Sequence, residues 1–127
     1  MSKYVLDSSA LLALLDAETG ADKVAAVLMD AVIGTVNLAE VHSKLSERGQ
    51  FGRQALVELL SVMEEVAPFT EEHAAITGHL RASTRHLGLS LGDRACLALG
   101  IALGVPVYTA DGDWAKLQLP CVVRPIR

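Results

Sequence analysis

Five short apolar runs, each followed by or set between stretches of helical spacing, constrain this 127-residue chain more than any other feature. The runs fall at residues 4–6, 32–36, 65–69, 105–109 and 121–123. Between them, apolar residues recur every three or four positions: Leu11, Leu14 and Leu15; then Val24, Val27 and Leu28; then Leu38, Val41 and Leu45. These spacings predict helices over 10–15, 21–29 and 37–48. Further helices are predicted over 53–63, from a Thr70 cap to about 85, from a Ser90 cap to 103, and over 111–117, with a loop at 86–89. Short strands alternating with helices predict a parallel sheet covered on both faces, because parallel neighbours need a crossover. Right-handed crossovers bring every strand's C-terminal end to one edge. Pro68 places the third run at an edge or terminus. The length fits a single domain over residues 1–127.

The chain is 51% hydrophobic and 20% charged. That composition excludes a disordered chain. It is also apolar for a small monomer, with a mean hydropathy of +0.37, which predicts an apolar surface facing a partner. No apolar run approaches the ~18–20 residues of a membrane span. Asp7 arrives too early for a secretory signal, so the expected setting is cytoplasmic and Cys96 and Cys121 are expected as free thiols. The net charge of −4, from 11 basic and 15 acidic residues, argues against binding nucleic acid by charge alone.

The acids are not scattered. Asp7 ends the first strand, Glu40 sits early in the helix after the second, and Asp111 and Asp113 follow the fourth. Asp93 begins the helix that leads into the fourth strand and runs antiparallel to it. Five carboxylates from four segments thus point to the edge where open α/β sheets bind ligands. Singly they have local readings. Asn37-x-x-Glu40 and Ser90-x-x-Asp93 match capping-box spacing, Asp7 suits a cap or a turn with Ser8 and Ser9, and Asp111-Gly112-Asp113 suits a turn. Jointly they repel: two carboxylates ~5 Å apart at an effective dielectric of ~20 cost about 3 kcal/mol. A divalent cation converts that cost into binding, and all-oxygen ligands suit Mg²⁺ or Mn²⁺ better than Zn²⁺. A calcium loop starting at Asp111 fails, because its glutamate position is Val122.

The segments Val5-Leu6-Asp7-Ser8-Ser9-Ala10, Asn37-Leu38-Ala39-Glu40, Leu89-Ser90-Leu91-Gly92-Asp93-Arg94-Ala95 and Val107-Tyr108-Thr109-Ala110-Asp111-Gly112-Asp113-Trp114 carry a resemblance. The chain resembles the PIN-domain family, most closely the VapC-type ribonuclease toxins of bacterial toxin–antitoxin pairs. The resemblance implies a three-layer α/β/α sandwich with a five-stranded parallel sheet, and metal-dependent cleavage of RNA. Asp7, Glu40, Asp93 and Asp111 match the family's four acids, Asp113 an extra acid, and Ser9 and Thr109 the small hydroxyl residues that support the site. On this reading Asp7 and Asp93 hold the main Mg²⁺ or Mn²⁺ directly. Glu40 and Asp111 complete its shell through water or hold a second ion, and Asp113 is auxiliary. The implied partners are RNA, a small antitoxin and a second copy of the chain. Leu11, Leu14, Leu15, Val24, Val27 and Leu28 are expected to line a groove for an apolar antitoxin segment.

Other chemistries fit less well. A phosphoaspartate enzyme of haloacid-dehalogenase type wants an acid two residues after Asp7, where Ser9 stands; a receiver-like domain wants an Asp after the third strand, where Pro68-Phe69-Thr70 stands. The remaining alternative is a non-catalytic domain that only binds Mg²⁺ or RNA. His42, His73, His79 and His86 form no ligand pair and read as surface or helix-face residues. Cys96 reads as core. Trp114 has two readings, stacking on a base or anchoring a short helix. Arg94 reads as a phosphate contact or an ion-pair partner; Arg48, Arg53, Arg81 and Arg85 are the other candidates for an RNA backbone.

Overall fold

A computed structural model describes residues 3–49 and 51–127; Met1 and Ser2, within the stretch read for an export signal, lie outside the described residues. The chain order is β1 (Tyr4–Leu6), α1 (Ser8–Leu15), α2 (Ala21–Val27), β2 (Ala31–Gly34), α3 (Thr35–Glu47), α4 (Arg53–Val62), β3 (Glu65–Ala67), α5 (Glu71–Thr84), α6 (Leu91–Leu103), β4 (Val107–Thr109) and β5 (Val123–Pro125). Short 3₁₀ turns cover Leu28–Asp30, Arg85–Leu87 and Gly112–Lys116. The five strands form one sheet in the order β3-β2-β1-β4-β5, and every pair is parallel.

The three layers follow from the two-residue strand period. Leu6 and Ile33 face one side, where Leu11, Val24, Val41, Leu45 and Leu56 from α1 to α4 cover them. Val5, Val32 and Val107 face the other, beneath Leu80 of α5 and Cys96, Leu97 and Leu99 of α6. Those five strand side chains are fully buried, and each contributes roughly 1.5–3 kcal/mol of hydrophobic stabilisation. Helix α6 lies close on β4 because Gly100 has no side chain. A Cβ there would overlap the Val107 side chain and stand 3.3 Å from the Val105 carbonyl oxygen.

The structure moves several predicted boundaries. Strand β2 stops at Gly34 and α3 starts at Thr35, so Val36 is helical despite its β-branched side chain. Asn37 is therefore the third residue of α3, within its first turn, and Gly34 holds the N-cap position. Strand β4 begins at Val107 rather than 105, just beyond Pro106, whose carbonyl accepts from Val5 N–H at 2.9 Å. The fifth strand lies at Val123–Pro125 instead of 121–123, its register set by Val107 against Val123 and Thr109 against Pro125. Arg124 and Pro125 masked it as a strand, but an edge strand tolerates an exposed charge and a missing N–H. Strand β3 takes the opposite edge and ends before Pro68. The expected helix at 111–117 is a 3₁₀ turn.

Cys96 and Cys121 are free thiols, the first fully buried. Burial, and then the nearby carboxylates of Asp7, Asp93 and Glu40, push the Cys96 thiol well above its ordinary range. Among the described residues no helix is long and apolar enough to cross a membrane. The groove expected on α1 and α2 is corrected: Leu11, Val24 and Leu28 are core residues, and only Leu14, Leu15 and Val27 of that set are partly exposed.

Candidate functional site

Asp7 stands where β1 becomes α1 and is the N-cap of that helix. Its Oδ1 accepts from the Ala10 N–H at 2.8 Å and from Ser9 Oγ at 2.7 Å. Its Oδ2 accepts from Thr109 Oγ1, at the end of β4, at 2.6 Å. The two hydroxyls also tie this carboxylate to the segment after β4: Ser9 Oγ accepts from Ala110 N–H at 2.9 Å and Thr109 Oγ1 from Asp111 N–H at 3.0 Å. Every one of these donors is neutral. Asp7 is only 4% exposed, and burial pushes its carboxyl up to about 6. The hydrogen bonds from Thr109, Ser9 and Ala10 oppose that shift, while the Asp93 carboxylate adds to it.

Glu40 is half-buried on α3, and its Oε1 accepts from Asn37 Nδ2 at 2.9 Å. Asp93, in the first turn of α6, closes a capping box. Its Oδ2 accepts from Ser90 N–H at 2.9 Å, and its own N–H donates to Ser90 Oγ at 3.1 Å. Asp111 caps the 3₁₀ turn, accepting from Asp113 N–H at 3.0 Å. Asp113 turns to Lys116, with Nζ to Oδ1 at 2.9 Å, on the exposed surface. The local cap readings of Asp7 and Asp93 and the turn reading of Asp111-Gly112-Asp113 are therefore realised, whereas the cap reading of Asn37-x-x-Glu40 is not, because α3 starts earlier.

As placed, no three His, Cys, Asp or Glu side chains among the described residues stand close enough together to hold an ion. The donor chemistry nevertheless suits a hard cation. Among the described residues Asp7 is a buried carboxylate whose hydrogen-bond donors are all neutral, and burying such a charge without a counter-charge is costly. Asp7, Asp93 and Glu40 all act electrostatically on the one buried Cys96 thiol behind them.

Other singled-out residues separate cleanly. Arg94 is buried and donates from Nη1 to the Thr77 carbonyl at 3.0 Å, so it neither meets solvent phosphate nor pairs with an acid there. Arg48 is held by Asp16 at 2.9 Å. Arg53, Arg81 and Arg85 are exposed. Trp114 is 1% exposed inside the core beside α6, which excludes stacking on a base and leaves the anchoring role. His42, His79 and His86 are exposed, and His73 belongs to the Thr70 capping box. The residue the sequence pattern undervalued is Asn37. Its spacing from Glu40 signalled a contact, but as a cap.

The PIN domain family matches the chain over residues 4–119. No curated protein sequence matches it. Among solved structures, the chain is similar to VapBC2 from Rickettsia felis bound to a DNA fragment from its promoter, with a TM-score of 0.78 and 15% identity over 96% of this chain and 97% of that one. It is similar to DNA-bound VapBC from Salmonella typhimurium, with a TM-score of 0.77 and 17% identity over the whole of both chains. A member of the VapBC family of toxin–antitoxin systems, VapBC-5 from Mycobacterium tuberculosis, is 25% identical with a TM-score of 0.67, over 100% of this chain and 99% of that one.

Proposed function

Because the chain belongs to the PIN domain family, we propose that it is a VapC-type toxin: a cytoplasmic, Mg²⁺- or Mn²⁺-dependent endoribonuclease that hydrolyses RNA phosphodiester bonds. The observation that carries this reading is Asp7, a buried carboxylate at the C-terminal end of the first strand, supported only by neutral donors and facing the charge of Asp93. Asp7 and Asp93 would hold the ion directly, with Glu40 and Asp111 completing its shell through water or holding a second ion. A divalent ion bound there supplies an activated water and charge relief on the phosphate. Ser9 and Thr109 fix the orientation of the Asp7 carboxylate and hold the Asp111 segment against it. Asp113 stays auxiliary, since its carboxylate faces Lys116.

The same reading includes a small antitoxin and at least a homodimer. Exposed Phe51, Val57 and Val62, at and beside α4, support a covered apolar face. The resemblance to VapBC complexes supports the antitoxin. One observation favours a second reading, a non-catalytic domain of the same fold: Asp93 and Asp111 are engaged as caps. The deciding experiment is cleavage of mixed RNA by the purified chain with Mn²⁺, with Mg²⁺ and in excess EDTA. Cleavage that needs the ion is the expected result. Undiminished cleavage in EDTA removes the metal, and no cleavage with either ion selects the non-catalytic domain. Light scattering at micromolar concentration tests the dimer against a 13.5 kDa monomer.

A further inference from the structure

Asn37 is 2% exposed, and both protons of its side-chain amide are committed. Nδ2 donates to Glu40 Oε1 at 2.9 Å and to the Gly92 carbonyl oxygen at 3.0 Å. The first bond lies within α3; the second crosses to the first turn of α6. An NH₂ group has two donors and no more, so this one side chain is fully spent joining a carboxylate to another helix's backbone. Gly92 completes the contact from the other side. A Cβ at that position would stand 2.6 Å from the Glu40 carboxyl carbon and 2.8 Å from Oε1, well inside ordinary contact. Glu40 therefore rests directly on the Gly92 backbone, one residue before Asp93.

We infer that Asn37 is a positioning residue which, together with the bare backbone of Gly92, sets the distance between the Glu40 and Asp93 carboxylates. The inference rests on the metal reading given above. It explains two choices that helix propensity alone disfavours. An asparagine is buried inside the first turn of α3, and a glycine, roughly 1 kcal/mol worse than alanine in a helix, occupies the first turn of α6. It also separates two kinds of acid at the site. Asp7 is oriented by hydroxyls from β4 and α1, Glu40 by an amide from its own helix and by contact with α6.

The test is Mn²⁺ binding by calorimetry together with side-chain amide NMR of Asn37. Asn37→Ala is expected to weaken Mn²⁺ about 10–100-fold, the usual effect of losing a group that orients a metal ligand. Gly92→Ala forces Glu40 aside and is expected to weaken binding by a similar factor. Shortening the acid reopens the space, so in the double variant Gly92→Ala/Glu40→Asp the loss should be clearly smaller than the product of the two single losses. The Asn37 side-chain amide protons should shift between the wild-type protein and Glu40→Ala. Unaltered Mn²⁺ affinity in Asn37→Ala, or losses that simply multiply, overturn the inference. If Gly92→Ala does not fold, the Asn37→Ala titration and the NMR measurement still decide it. A wild-type protein that binds no Mn²⁺ removes the metal reading instead. The amide signal then decides the contact alone, and an Asn37 resonance indifferent to Glu40 removes it as well.

Discussion

Thr109 Oγ1 donates to Asp7 Oδ2 at 2.6 Å across a separation of 102 residues. The bond links the ends of two adjacent parallel strands. Its donor also accepts from the Asp111 N–H, so one hydroxyl joins the Asp7 side chain to the Asp111 backbone.

Thr109→Val removes that donor and leaves the Asp111 N–H without its acceptor. Since the Thr109 bond is the foremost influence holding the Asp7 carboxyl down, its loss should raise the carboxyl further above about 6. The fold should lose about 1–3 kcal/mol, the cost of unpairing buried polar groups. Carbon-detected NMR titration of Asp7 and urea denaturation measure the two effects. An Asp7 titration unchanged in the variant contradicts the assignment.

Asp7 also makes stability depend on pH with a defined sign. Its carboxyl rises from 3.8 to about 6 on folding, so the native state holds its proton more tightly than the unfolded chain. The contribution to stability is complete below pH 3.8 and is lost as pH rises through about 6. Its full size is about 3 kcal/mol. Asp7→Asn cannot ionise, so the difference in unfolding free energy between variant and wild type should grow in the variant's favour from pH 4 to pH 8. Parallel urea titrations at each pH measure it; a flat difference is the contrary outcome.

Divalent ions should reverse that penalty. At metal concentrations ~100-fold above Kd, Mg²⁺, Mn²⁺ or Ca²⁺ should stabilise the fold by about 2.7 kcal/mol. The gain should fall as pH drops below about 6, where a proton on Asp7 competes with the ion. Mg²⁺ and Mn²⁺ should support cleavage and Ca²⁺ only binding, because the smaller ions enforce a tighter coordination geometry. Thermal melts with each ion, at pH 5 and pH 7.5, carry the measurement, and identical melts with and without ion argue against a site.

Asp7→Asn and Asp93→Asn keep the side-chain shape and an accepting oxygen while removing the charge. RNA cleavage should drop at least about 10²-fold in each, with the fold retained, a loss comparable to removing one electrostatic stabiliser of a transition state. Fragment analysis on mixed RNA beside circular dichroism separates lost chemistry from lost structure. Wild-type cleavage by either variant excludes its carboxylate from the metal shell.

Much of this architecture is legible in the linear chain because the signals are local. Helical spacing and short apolar runs are set by neighbours within a turn or a strand, and they placed all five strands of the parallel sheet to within two residues. Crossover handedness then carries Asp7, Glu40, Asp93 and Asp111 to one edge without further information. What the tertiary structure alone decided is how each of these groups is held. The helical period names Leu11, Val24 and Leu28 as apolar but not as core, since it does not say which face the sheet covers. It leaves Arg94 beside Asp93 in sequence, while the packing of α5 on α6 turns its guanidinium to the Thr77 carbonyl. Asn37 and Gly92 are 55 positions apart, and Ser9 and Ala110 are 101. No periodicity spans such distances. These contacts, and with them the proton affinity of Asp7, exist only after the crossovers have closed and excluded water from the strand ends.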